Sequence, residues 1–139
     1  MSKLDNFKSF IISRMFGLVF LIIAIYLFIS LIGFNKNDIS FGNINSSLNT
    51  INYLGTYGAH VSGFLFVVFR YSSYLIPIFF LIVGIKSVFG IKYKNFVLRA
   101  FSLLIGLCIL NLSLTLVNIN AGLVGKFFFD ITEIYLLNF

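Results

Sequence analysis

Few side chains in this sequence are equipped for chemistry, and their spacing narrows what that chemistry is. There is one histidine, His60, one cysteine, Cys108, and four carboxylates in all. A metal site needs three or four His, Cys, Asp or Glu ligands that converge, and these residues are too few and too scattered to supply them. Ser72 and Ser73 follow His60 in the same apolar stretch. A serine nucleophile, however, needs an activating base and an oxyanion hole, and neither is legible. Gly125-Lys126 has the look of the end of a phosphate loop. It is followed by Phe127 where Ser or Thr belongs, and the upstream glycine is missing. Catalytic, cofactor-binding and metal-ligating residues are therefore all expected to be absent, and the chain reads as a non-enzyme. Cys108 lies in an apolar run, where a lone thiol packs as a small hydrophobe, and His60 reads as a solvated interfacial residue. Arg70 interrupts another apolar run. Its expected partner is a lipid phosphate or one of the acids Asp38, Asp130 and Glu133.

The elements that position these residues belong to a membrane protein. Hydrophobic residues make up 60% of the 139 and charged residues 10%, whereas a soluble domain carries about 25% charged residues. Nineteen phenylalanines would expose large apolar patches in water. A soluble enzyme, a nucleic-acid-binding domain and a disordered tail are all disfavoured. About 20 apolar residues cross the ~30 Å hydrocarbon core as a helix. Long apolar runs place three such spans at residues 15–34, 71–89 and 97–117, the second with Lys86 and the third with Arg99 near its end, within reach of water. The first follows a basic segment as a signal peptide does, but it is too long and lacks a small-residue cleavage site. Arg70 is cheaper at an interface than at mid-bilayer, so residues 58–69 are expected to form a short helix along the membrane surface. Pro77 is tolerated where neighbours satisfy the freed backbone. Residues 123–137 gather Lys126, Asp130 and Glu133 on one stripe and read as a second interfacial helix. The expected fold is thus all-α, a polytopic helical bundle of three spans with two interfacial helices.

Polar residues in the third span suggest how it packs. Ser102, Gly106 and Ser113 fall within about 40° of one another around a helix, with Asn111, Thr115 and Asn118 on the opposite face. Small and hydrogen-bonding residues mark helix contacts in lipid, so neighbours are expected on both faces. A polar translocation path, and with it a small transporter or channel subunit, is the alternative. The absence of ionisable groups at mid-span weighs against it.

Lys and Arg placement sets orientation. Lys3, Lys8, Arg14, Lys86, Lys92, Lys94 and Arg99 fall on one side, and Lys36, Arg70 and Lys126 on the other. The N-terminus and the 90–99 loop are expected in the cytoplasm, with residues 36–56 outside. This accounts for most of the net charge of +6 without nucleic acid. Lys92, Lys94 and Arg99 are expected to meet anionic lipids rather than DNA.

A short repeat stands out at the outer side. Gly55-Thr56-Tyr57-Gly58 and Gly122-Leu123-Val124-Gly125 both read G-x-x-G, and each precedes an expected interfacial helix. Gly55 and Gly58 are expected to permit positive φ or close approach. By analogy with the first copy, a further span would begin near Asn138. The chain is therefore expected to belong to a longer protein; the alternative is a complete three-span protein.

These features together resemble the N-terminal four-helix membrane domain of bacterial FtsK/SpoIIIE-type DNA translocases. The segment FNKNDISF, residues 34–41, is similar to the family's loop with its Asp-x-Ser-aromatic core. NYLGTYGA, residues 52–59, looks like its N-x-x-G-x-x-G-A signature. Residues 65–84 hold its Tyr-x-x-Pro as Tyr74-Leu75-Ile76-Pro77. AGLVG, residues 121–125, looks like a later G-G-x-x-G with Ala121 in place of the first glycine. The resemblance implies a membrane anchor at the division septum of the inner membrane, acting in cell division and chromosome segregation. Its implied partners are membrane lipids, division-site membrane proteins and other copies of itself. DNA and ATP are implied only through a motor region that these residues do not include.

Overall fold

The computed structural model of the chain describes residues 3–41, 50–91, 95–117 and 119–137. The expectations placed on Lys92, Lys94, Asn118 and Asn138 lie outside the described residues. Five α-helices appear among them: α1 Lys3–Ile32, α2 Gly55–Phe69, α3 Leu75–Val88, α4 Phe96–Leu116 and α5 Gly122–Leu137, with a 3₁₀ turn, Arg70–Tyr74, between α2 and α3. There is no β-strand among the described residues. Three stretches, Ile11–Ile32, Gly55–Val88 and Phe96–Leu116, are long and apolar enough to cross a membrane. The protein is an all-α membrane bundle.

Helix and lipid-crossing segment do not coincide. α1 starts well before residue 15 because no Gly or Pro stops it between Lys3 and Phe16. It ends at Ile32, where the chain turns through Gly33. The second stretch is two regular helices, α2 and α3, and the expected 71–89 span becomes α-helical only at Leu75, after the 3₁₀ turn. That turn and α3 together rise about 31 Å, which matches the ~30 Å core. Pro77 is the third residue of α3. In the first turn of α3, just after the 3₁₀ turn, proline is better tolerated than in a helix interior.

α1 and α3 form the antiparallel centre of the molecule. Apolar helices gain little hydrophobic attraction in lipid, so they associate through close packing and hydrogen bonds. Both are present. A Cβ added to Gly17 would lie 2.8 Å from the Val88 nitrogen, and one on Gly84 would lie 3.0 Å from the Gly17 carbonyl oxygen. At the same end the Ser87 hydroxyl donates to the Ser13 carbonyl at 2.6 Å. At the other end the Tyr74 hydroxyl reaches the Leu31 carbonyl at 3.3 Å. Phe20 stacks on Phe80 between them at 5.8 Å.

α2 lies across this pair rather than along it. Gly58 near its start accepts a 2.7 Å bond from Ser30. Phe66, two turns later, stacks on Phe34 at 4.1 Å. Both partners are at the C-terminal end of α1, so α2 does not run back down that helix. The helix then stops at Arg70, whose φ of 51° breaks the helical path, and the chain turns into α3. One rod of 34 residues would be about 51 Å long. The break divides it into two helices, α2 and α3.

α4 is held at its C-terminal half. Asn111 is fully buried; it accepts a 3.1 Å bond from Ser72 and donates to Leu107 at 2.8 Å. Thr115 donates to the Asn111 carbonyl at 2.9 Å beside α5. On the opposite face, where a second neighbour is expected, none is present among the described residues. Nothing lies within 4 Å of a Cβ on Gly106, and Ser102 and Ser113 are exposed. Their hydroxyls bond the Leu98 and Ile109 carbonyls of their own helix. A helical serine satisfied by the carbonyl four residues back needs no partner helix.

Candidate functional site

At the end of the bundle where α1 finishes and α3 begins, the sequence motifs converge. Asp38, 1% exposed, accepts the Ile51 amide at 2.8 Å and the Asn52 amide at 2.9 Å. This carboxylate staples the two ends of the 35–56 loop together. Asn52, 4% exposed, uses both ends of its amide. Its Nδ2 donates to the Ser30 carbonyl at 2.9 Å and to the Ser62 hydroxyl at 3.3 Å. Its Oδ1 accepts the Leu54 amide at 3.0 Å, a short turn that starts α2. Ser30 and Ser62 both donate to the Gly58 carbonyl, at 2.7 and 2.8 Å. These side chains and the Gly58 carbonyl thus join α1, the loop and α2 in a buried, closed set of hydrogen bonds. Such a set specifies one arrangement, because any member left unpaired costs its desolvation.

The two G-x-x-G segments do the same work twice. Gly55 opens α2 with φ 63°, and Gly122 opens α5 with φ 79°, a left-handed conformation that favours glycine. The second glycine of each pair is buried against a neighbour. A Cβ on Gly58 would collide with Asn52 Oδ1 and Leu54, and one on Gly125 with Thr115 Oγ1 and Ala121. Gly122 also needs close approach, since a Cβ there would lie 2.7 Å from the Val68 carbonyl oxygen. The N-terminus of α5 therefore sits on the C-terminal carbonyls of α2, and an Asx bond from the Gly122 amide to Asn120 Oδ1 at 3.1 Å fixes the approach.

None of the candidate chemical residues assembles into a reactive group. Ser72 is committed to Asn111, and Ser73 donates to the Arg70 carbonyl at 2.6 Å. His60 is exposed at the rim of an apolar cleft of about 330 Å³ lined by Leu27, Phe41, Phe64 and Ile76. Among the described residues no three His, Cys, Asp or Glu side chains gather as metal ligands. Cys108 is half-buried. Asn111 and Thr115, the residues that leave a polar path open in the sequence, are taken up by packing. Arg70 does not pair with Asp38, Asp130 or Glu133. Its guanidinium lies 5.4 Å from the centre of the Tyr71 ring, and its Nε is buried without a hydrogen-bond partner.

The hydrogen-bonded end of the bundle holds one arrangement of α1, the loop and α2. Residues 11–130 match the family model described as the 4TM region of DNA translocase FtsK/SpoIIIE. The chain belongs to that family. No curated protein and no solved structure matches it. In this membrane region of the FtsK/SpoIIIE type, two of the four motifs that carry the resemblance, FNKNDISF and NYLGTYGA, meet in one hydrogen-bonded unit through Asp38 and Asn52.

Sequence reasoning missed two parts of this FtsK-type region. Ser30 hides inside an apolar run, and nothing in the pattern marks its tie to Gly58. The α1–α3 contact was legible in principle. Ser13 and Gly17 are four residues apart, Gly84 and Ser87 three, and small residues at that spacing mark close helix contacts in membranes.

Proposed function

We propose that this chain anchors an FtsK/SpoIIIE-type DNA translocase in the inner membrane at the bacterial division septum, with its N-terminus in the cytoplasm. On this reading it performs no bond-making chemistry. It holds a cytoplasmic motor at the bilayer and offers its loop end to division-site membrane proteins. The family assignment over residues 11–130 carries the proposal. The buried clasp supports it, because the clasp fixes a stiff backbone from which Tyr53 and Tyr57, 74% and 81% exposed, project as a rigid aromatic contact surface. α2 and α5 would lie at the outer membrane surface, α2 as the crosspiece over the α1–α3 pair.

The test is recruitment. A tagged chain within the intact protein is expected to concentrate at the septum. The Gly55→Val, Gly58→Val double variant is expected to insert but to spread over the membrane. Valine is strained at the positive φ of position 55, and its side chain at position 58 would break the clasp. Septal localisation of that variant at the normal level would remove the clasp from the proposal. The purified chain is expected to show no ATP turnover, and stoichiometric turnover would overturn the anchor reading.

Orientation has a separate readout. In a Cys108→Ala background, Asn37→Cys is expected to react with an impermeant thiol reagent from outside the cell. Ile91→Cys is expected to react only after permeabilisation. The reverse pattern would refute the assignment made from the positive charges.

A further inference from the structure

Where the N-terminus of α5 meets the C-terminus of α2, a pocket of about 220 Å³ opens. Arg70, Asn120, Gly122 and Lys126 line its polar side, Phe66 and Leu123 its apolar side. Two cations lie in the lining and no carboxylate does. Three further observations point the same way. First, Arg70 occupies φ 51°, a left-handed conformation that glycine adopts freely and arginine only at a cost. Second, its Nε is shielded from solvent and makes no hydrogen bond, an orphaned charged donor that a ligand oxygen would satisfy. Third, Lys126 is exposed at the pocket's edge, so its ammonium can turn onto an anion held by Arg70.

We propose that this pocket binds the phosphate of an anionic phospholipid headgroup, with the Arg70 guanidinium and the Lys126 ammonium on the phosphate oxygens. Phe66 and Leu123 border the start of the acyl chains. The lipid, rather than free phosphate, is the ligand because the pocket has an apolar wall and sits where the Arg70–Val88 span begins, at headgroup depth. This rests on the reading that the span starts at Arg70 and crosses the bilayer. It does not depend on septal recruitment. Two fixed cations repel the choline of a zwitterionic headgroup and accept a glycerol one, so the site distinguishes lipids by headgroup charge.

The experiment uses the full chain in neutral detergent micelles, titrated with short-chain phosphatidylglycerol, short-chain phosphatidylcholine or inorganic phosphate. Native mass spectrometry reads the bound adduct, and thermal unfolding is followed in parallel. Phosphatidylglycerol is expected to bind roughly tenfold more tightly than phosphatidylcholine. Lys126→Gln, on an exposed helical position, is expected to keep the melting temperature and lose most of that preference. Arg70→Gly relieves the backbone, so it is expected to melt no lower than the parent while losing the preference as well. Equal binding of the two lipids would overturn the proposal, as would a preference that survives in the double variant. Inorganic phosphate competing at the same concentration as phosphatidylglycerol would overturn the lipid assignment. Because localisation plays no part in this assay, its failure and the failure of the anchor reading are separate results.

Discussion

Gly17→Leu is expected to part α1 from α3 and cost the bundle its centre. A Cβ at Gly17 already meets the Val88 nitrogen at 2.8 Å and the Gly84 carbonyl at 3.0 Å. Both are backbone atoms, which cannot turn aside as a side chain does. Overpacking usually costs about 1–3 kcal/mol, and against backbone the upper end applies. In water a hydrophobic core would partly compensate for the wider spacing, whereas in lipid the separated faces are simply solvated. Cross-linking checks this directly. The Ser13 and Ser87 hydroxyl oxygens are 3.5 Å apart. The Ser13→Cys, Ser87→Cys pair, with Cys108→Ala, is therefore expected to form a disulfide readily. Adding Gly17→Leu is expected to abolish it while the chain still inserts. Unchanged cross-linking would mean that α1 and α3 are not held by this contact.

Asp38→Ala is expected to be the most damaging substitution at the loop end. It leaves the Ile51 and Asn52 amides without their acceptor, and the Asn52 amide is buried. Hydrogen bonds to charged groups contribute about 1.5–3 kcal/mol each; with the Ile51 bond only part-buried, losing both amounts to roughly 3 kcal/mol. Asp38→Asn keeps one acceptor oxygen and is expected to fall between the parent and the alanine variant. Limited proteolysis of the micelle-solubilised chain is the measurement. Cleavage between residues 36 and 54 should accelerate in the order parent, Asn, Ala. The second half of the clasp gives an internal check, because Asn52→Ala removes the bonds to Ser30 and Ser62 and should expose the same peptide bonds. Equal cleavage of all four proteins would show that the buried carboxylate does not hold the loop.

The helices are legible in the sequence because lipid imposes a simple code, a long apolar run between charges. Their ends are less so. Hydropathy reports where the bilayer is and not where helical hydrogen bonding stops, which is why α1 extends back to Lys3 and α3 begins at Leu75 after a tighter turn. Arg70 reads as a boundary residue, since mid-bilayer charge is expensive, and the helix does break there. Its backbone φ and its lack of an acidic partner are tertiary facts with no local signature. The glycine repeat is visible as spacing, and positive φ at Gly55 and Gly122 gives that spacing a cause. The polar faces of α4 divide. Asn111 has too many polar atoms to be satisfied by its own helix and so takes a bond from Ser72, while Ser102 and Ser113 need only the carbonyl one turn back. The sequence pattern treats these residues alike, and only their capacity for hydrogen bonds separates them.

The two polar contacts between α1 and α3 lie at opposite ends of the pair, Ser87 on Ser13 and Tyr74 on Leu31. Smooth apolar helices in lipid can slide past one another, and the next comfortable seat is one turn, about 5.4 Å, away. Such a slip would break both contacts together and carry the Gly17–Gly84 notch out of alignment. The pair therefore behaves as a latch with a single seat. An axial pull on the N-terminus meets resistance at both ends at once, so the pair transmits it as a unit rather than by sliding.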